Sequence, residues 1–162
     1  TNCPEAELFL NGQSLGKKDR KSAANHIITW NVAYEAGTLS VKGYNNGVAV
    51  SSYQLVTAGK PYAIKPLEKA YVGKDGLVQV SLGVVDEQGN LVTSADNEIS
   101  VGIKGDVQLL GMESGDLSSH EDYKASKHKA YHGKLIAYLQ PKVKNYTITF
   151  SADGLKSSVY QK

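Results

Sequence analysis

Three of the four histidines, His120, His128 and His132, fall within thirteen positions of one another. A spacing of four puts His128 and His132 on one face of a helix or of a strand, the arrangement a zinc site uses. However, Lys127 and Lys129 flank His128 and repel a cation, and no carboxylate or thiol completes a ligand set. The stretch therefore reads as a polar loop and edge strand, with no metal ligand assigned. His120-Glu121 has no second histidine at the spacing of a zincin helix. Ser118, Ser119, His120 and Asp122 supply the residue types of a hydrolytic triad, yet groups so close in sequence seldom converge as nucleophile, base and orienter.

Paired carboxylates for glycoside chemistry would have to come from Glu7, Glu35, Glu68, Asp86, Asp96, Glu98, Glu113 or Asp116. All stand in or beside turns with no cleft legible around them, so no catalytic residue is assigned. Asp106, Glu113, Asp116, Glu121 and Asp122 precede an acid-free stretch holding Lys124, Lys127, Lys129, Lys134, Lys142 and Lys144. These read as neighbouring segments that partly neutralise each other rather than as a polyanion site. Ten tyrosines offer material for a sugar-stacking platform. Tyr34, Tyr44, Tyr53, Tyr131, Tyr138 and Tyr146 mostly sit in alternating runs where packing is the default, and Trp30 reads as an inward-facing core anchor. Ligand-binding residues stay unassigned.

The elements that position these groups are strands. Apolar and β-branched residues recur with period two, punctuated by Gly, Asn and Asp about every ten residues. Strands are expected over 7–10, 27–34, 38–44 and 48–57. Further runs follow at 67–71, 77–86, 98–104, 107–111, 134–139, 146–152 and 157–161. Asn11-Gly12 suits a tight hairpin turn, and 119–129 is the one stretch with room for a helical turn. Ala58-Gly59-Lys60-Pro61 interrupts any ladder and marks a boundary between residues 1–60 and 61–162.

At 162 residues with a formal charge of +2, the chain is too short for a TIM barrel, and its charge gives no field for nucleic acid. No run of about 18 apolar residues or signal-peptide pattern occurs, and the one cysteine, Cys3, forms no intrachain disulfide. The fold class expected is all-β: two immunoglobulin-like antiparallel β-sandwiches, the first a partial one because about 60 residues supply too few strands to close it, so that it either leans on the second or is truncated at its N-terminus.

Several motifs are familiar. Asn2-Cys3-Pro4-Glu5-Ala6-Glu7-Leu8-Phe9-Leu10-Asn11-Gly12-Gln13-Ser14-Leu15-Gly16 resembles a stretch of the β-galactosidase-like members of glycoside hydrolase family two. So do Trp30-Asn31-Val32-Ala33-Tyr34-Glu35-Ala36-Gly37-Thr38-Leu39, Gly43-Tyr44-Asn45-Asn46-Gly47 and Thr57-Ala58-Gly59-Lys60-Pro61. In the second half, Val85-Asp86-Glu87-Gln88-Gly89-Asn90, Ala95-Asp96-Asn97, Ser114-Gly115-Asp116 and Tyr131-His132-Gly133-Lys134 are similar to landmarks of the following immunoglobulin-like domain. Departures are Ser114, where the family usually has Asn, and the absence of a glycine over 142–146.

The resemblance implies a non-catalytic accessory region from the C-terminal side of a large exo-glycosidase, itself periplasmic or secreted, whose two catalytic glutamates lie in an upstream barrel. Its implied partners are other domains of the same parent, with carbohydrate as a further partner and with neither nucleic acid nor membrane insertion. No cofactor is implied. A carbohydrate-binding module and an adhesin-like interaction module are the alternative readings.

Overall fold

A computed structural model describes residues 1–162. The chain separates into two compact units, Thr1–Thr57 and Ala58–Lys162. The break falls after Thr57 because the next residues belong to the second unit's own hydrogen bonding: the Gly59 N–H donates to the Asp86 carboxylate at 2.8 Å.

The first unit is one antiparallel sheet of β1 (Glu5–Leu10), β2 (Gln13–Asp19), β3 (Thr38–Asn45) and β4 (Val48–Val56), in the order β2-β1-β3-β4. Its hairpins close at Asn11-Gly12 (φ 50° and 83°) and Asn46-Gly47 (φ 48° and 79°), the left-handed pairs that match the twist of the flanking strands. Asn11 does more than turn. Its Oδ1 accepts from the Thr38 N–H at 2.8 Å and its Nδ2 donates to Glu35 at 2.8 Å, stapling the hairpin to the approach of β3.

Register divides this sheet into unlike faces. Ala6, Leu8 and Leu10 align with Gly43, Val41 and Leu39, and these with Ser51, Tyr53 and Leu55. The opposite face carries Glu5, Glu7, Phe9, Lys42 and Tyr44, tied by a Lys17–Glu5 pair at 3.6 Å and by Lys17 over the Tyr44 ring at 3.8 Å. Cys3 is buried against Gly43, where an added Cβ would lie 2.6 Å from its Sγ, so the thiol acts as a small packing group.

Residues 27–34 were expected to form a strand and do not. After a short 3₁₀ turn, Ala24–His26, the segment is extended, and Ile28, Trp30 and Val32 are half-buried while Thr29, Asn31 and Ala33 are exposed. The alternation is that of a strand. What is lacking is a neighbour: no main-chain N–H from Ile28 to Ala36 donates a hydrogen bond. Period two in a sequence records which way side chains face, whereas a ladder also needs a partner.

The second unit is a two-layer sandwich. One layer contains β5 (Ala63–Pro66), β6 (Tyr71–Val72), β7 (Val78–Val85), β9 (Val107–Glu113) and β11 (Lys134–Pro141), ordered β5-β7-β11-β9 with β6 also on β7. The other is β10-β8-β12-β13, from β8 (Glu98–Lys104), β10 (Lys127–Lys129), β12 (Thr147–Ser151) and β13 (Ser158–Gln161). Val78, Val80, Leu82 and Val84 of β7, with Leu135, Ala137 and Leu139 of β11, form one core with Ile99, Ile148 and Phe150 of the facing layer. The strand expected at 67–71 is instead two pieces, β5 and β6, on either side of a bend. The helical turn allowed over 119–129 is absent; loop gives way to the edge strand β10.

Two local devices hold this sandwich. His132-Gly133 (φ 50° and 72°) is a third left-handed turn pair, and a Cβ at Gly133 would sit 2.3 Å from the Val92 carbonyl oxygen, so only glycine fits. Buried Asp86 accepts from the N–H groups of Gly59 and Asn90 and from the Asn90 side chain, at 2.7 to 3.0 Å. The Gly59 bond foremost, then those from Asn90 and Gln88, hold its carboxyl below the usual aspartate range against the opposing effect of burial.

Two expectations follow. The core cluster lies wholly in the second unit, while only Cys3 and Ala6 are buried hydrophobics in the first; amide exchange is therefore expected to be faster over 5–57 than over 77–160, and equal protection would contradict it. Asp86→Ala is expected to lower the second unit's melting temperature at pH 7 by about 5 °C. Because the folded carboxyl holds its proton less tightly than the unfolded one, this stabilisation is complete above about pH 4 and fades as pH falls through the folded value. Melts of both proteins at pH 7 and pH 2.5 should show the gap narrowing with acid.

Candidate functional site

The structure disperses most groups singled out above. His128 is 1% exposed on β10, with Nδ1 3.0 Å from the Lys129 carbonyl and 3.4 Å from the Glu121 carboxylate, and its ring stacks with Tyr123. His132 occupies its turn with Nδ1 3.1 Å from the Thr93 carbonyl, and His120 is exposed in a loop. No three His, Cys, Asp or Glu side chains gather where they could hold a metal ion. The Ser118 hydroxyl donates to Asp116 at 2.7 Å, and the Ser119 hydroxyl to Glu121 at 3.3 Å. These are turn contacts, and the first, with the Ser118 N–H, holds the Asp116 carboxyl below its ordinary range.

Among the other acids, Glu7 accepts from the Ser14 and Tyr44 hydroxyls, which lower its pKa. Glu35 holds Asn11, and Glu98 pairs with Lys127 at 3.1 Å. Asp96 is exposed before β8, and Asp86 is the buried clamp described above. Lys127 is the one lysine of the basic stretch with an ion pair, and its partner lies outside the acidic segment. The aromatic residues divide. Tyr146 is buried, Tyr44 and Tyr138 are half-buried, and Tyr34, Tyr53 and Tyr131 are exposed. Trp30 faces its sheet but is only half-buried, its Nε1 donating to the Gly16 carbonyl at 3.2 Å, so it covers rather than anchors.

Glu68 and Glu113 are the exception, for strand register brings them to one place. On the outward face of the second unit's first layer, cross-strand pairing sets Ser81, Ile136 and Glu113 in one row and Tyr71, Gln79 and Tyr138 in the next. Leu67 lies over Gly83, whose missing side chain makes room for it: a Cβ there would meet Leu67 at 2.5 Å. The result is an open groove of about 470 Å³ lined by Leu67, Glu68, Ser81, Glu113, Lys134 and Ile136. Glu68 accepts from the Ser81 hydroxyl at 3.0 Å, and Glu113 from the Tyr138 hydroxyl at 2.5 Å. The latter bond, aided by burial, pushes the Tyr138 phenol up to about 12. Both acids line an open trough rather than enclose a bond, an arrangement suited to holding a ligand. The sequence named both residues but gave no sign that β11 would lie between them.

Residues 68–161 match the family model of the glycoside hydrolase family 2 C-terminal domain 5, and residues 1–51 match that of a domain of unknown function, DUF4982. The chain is 35% identical over 160 residues to the β-galactosidase BoGH2A of Bacteroides ovatus, covering 96% of this chain and 19% of that protein. It is 36% identical over 120 residues to a putative β-glucuronidase of Formosa agariphila, covering 71% of this chain and 12% of that one. A solved family 2 glycosyl hydrolase from Bacteroides cellulosilyticus superposes with a TM-score of 0.89 at 28% identity, over 99% of this chain and 21% of its own. The chain thus spans about a fifth of the length of the first relatives it matches. With an all-β fold shared along its length and its second unit matched almost throughout, the chain belongs to the glycoside hydrolase family 2 C-terminal domain 5 family.

Proposed function

We propose that this chain is a non-catalytic β-sandwich accessory region of a larger family 2 glycoside hydrolase of β-galactosidase type, and that it works by packing against other domains of that parent. The observation that carries this reading is the half-covered apolar face of the first unit. Tyr53 and Leu55 on β4 are 66% and 56% exposed, although register puts them on the same side as Val41 and Leu39. Beside them an apolar groove of about 310 Å³ opens between residues 32–37 and the strands, lined by Leu10, Leu39, Leu55 and Val56. A sheet face of this kind is stable in water only when a second layer covers it. The segment over 28–34 begins that layer with side chains facing the sheet and unpaired N–H groups beside them. A strand or loop from the rest of the parent would supply both the missing hydrogen bonds and the missing apolar cover.

The other candidate groups support the same conclusion by what already occupies them. Ser118, Ser119, Glu121 and Asp116 are bonded to one another in turns, and Asp86 is bound to backbone donors. The isolated chain is expected to hydrolyse aryl β-galactosides no faster than a protein-free control. In the full-length parent, Leu55→Asp should destabilise the folded enzyme by about 1–3 kcal/mol through an uncompensated charge at the packed face, with KM unchanged. The same substitution should leave the melting of the isolated chain nearly as it was, since Leu55 is exposed there. Turnover by the isolated chain, or a parent indifferent to Leu55→Asp, overturns the reading.

A further inference from the structure

We propose that the outward face of the second unit's β5-β7-β11-β9 layer binds a neutral glycan chain, seated in the groove between Glu68 and Glu113 and stacked on Tyr71. The proposal rests on the accessory reading above in placing the chain beside a glycoside-hydrolysing centre, but its physical grounds are separate. Antiparallel strands lie about 4.8 Å apart, so β7, whose Ser81 holds the Glu68 carboxylate from the bend between β5 and β6, and β9, which carries Glu113, set the two walls roughly 10 Å apart on either side of β11, enough to admit one sugar ring. A volume of about 470 Å³ lies within the size range of small-ligand sites.

The lining matches the two-sided chemistry of a pyranose, which presents C–H patches on its faces and hydroxyls around its rim. Ile136 and Leu67 form an apolar floor and wall. Each carboxylate spends one oxygen inside the protein, Glu68 on Ser81 and Glu113 on Tyr138, and its second oxygen has no protein donor, which leaves it to accept a ligand hydroxyl. The internal bonds also fix each carboxylate's direction, so little side-chain freedom is lost on binding. Lys134 has no carboxylate within 4 Å and projects from β11 at one end, a free donor. In the adjoining row Tyr71 is 61% exposed, with Gln79 and then Tyr138 aligned across the strands. An exposed ring beside amide and hydroxyl groups is the pairing that sugar stacking requires.

Charge selects among glycans. Two carboxylates against one ammonium leave the groove net negative, which repels uronates and sulfated sugars and favours uncharged ones. An open site of this kind should bind in the range of about 0.1–5 mM.

The test is a titration of the ¹⁵N-labelled 162-residue chain with four neutral trisaccharides, β-1,4-galactotriose, cellotriose, xylotriose and mannotriose, and with trigalacturonate, each to about 20 mM. At least one neutral sugar should shift the amide signals of Tyr71, Ser81, Glu113 and Ile136, and trigalacturonate should not. Tyr71→Ala and Glu113→Gln should each weaken that binding about fivefold or more while the remaining spectrum keeps the folded pattern. Lys134→Ala is a further variant, expected to weaken binding without touching the Glu113–Tyr138 bond. Four neutral sugars without effect on the groove, shifts confined to another face, or equal binding of trigalacturonate would each overturn the proposal. A null titration leaves the Leu55→Asp outcome in the parent untouched, so the two ideas fail separately.

Discussion

A β-sheet with one apolar face must find a second layer, and the two units of this chain meet that requirement differently. The second meets it internally. Val78, Val80, Leu82 and Val84 face Ile148 and Phe150 across a dry interior, and polar residues such as Gln79 and Ser81 point outward at alternate positions. The first has the same alternation but one sheet, so Trp30, Ile28 and Val32 lie against it as a partial lid. The difference between a buried Leu82 and an exposed Leu55 is not one of residue type; it is whether a facing layer exists within these residues.

That constraint explains the contrast between the β-edges. β4 runs for nine residues, Val48–Val56, without a charge or a proline, and every residue is exposed. Free-standing sheets usually blunt such an edge with lysine or proline. The other edge, β2, carries Lys17, Lys18 and Asp19, which keep it in water. An unguarded strand beside an uncovered apolar face is a pattern of association, and it sits on the unit whose own core is smallest.

Much of this was legible in the sequence, and the failures share one cause. Asn11-Gly12 and Asn46-Gly47 announced their turns because positive φ is a local property of residue type. The long strands of the second unit could be read from alternation because both of its layers are present, whereas the short β5, β6 and β10 could not. Residues 27–34 alternated equally well and formed no ladder, since pairing is not local. Glu68 and Glu113 show the same limit from the other side. Forty-five positions apart, they share a groove only because Ile136 pairs with both Ser81 and Glu113, a fact of register that no spacing rule supplies. The His132-Gly133 turn is an intermediate case: glycine was visible, but histidine in a left-handed conformation is unusual, and its need arises from the approach of the Val92 carbonyl.

Register also accounts for why the outward face of the sandwich can carry a site at all. In a rigid two-layer core, the outward residues are positioned by the inward ones: the same pairings that interlock Val80, Leu82, Leu135 and Ala137 fix Ser81 and Ile136 on the other side. Side chains there can change without disturbing the interior, while their spacing is held by it. Glu113 and Tyr138 are diagonal cross-strand neighbours near the β9 bulge at Leu110, where the extra residue shifts the partner of Leu139 from Leu110 to Leu109. Without that shift the strand beyond would present the opposite set of side chains outward. The bulge thus lets β9 keep Met112 in the core and Glu113 on the groove at one end, while Leu109 stays aligned with buried Leu139 at the other.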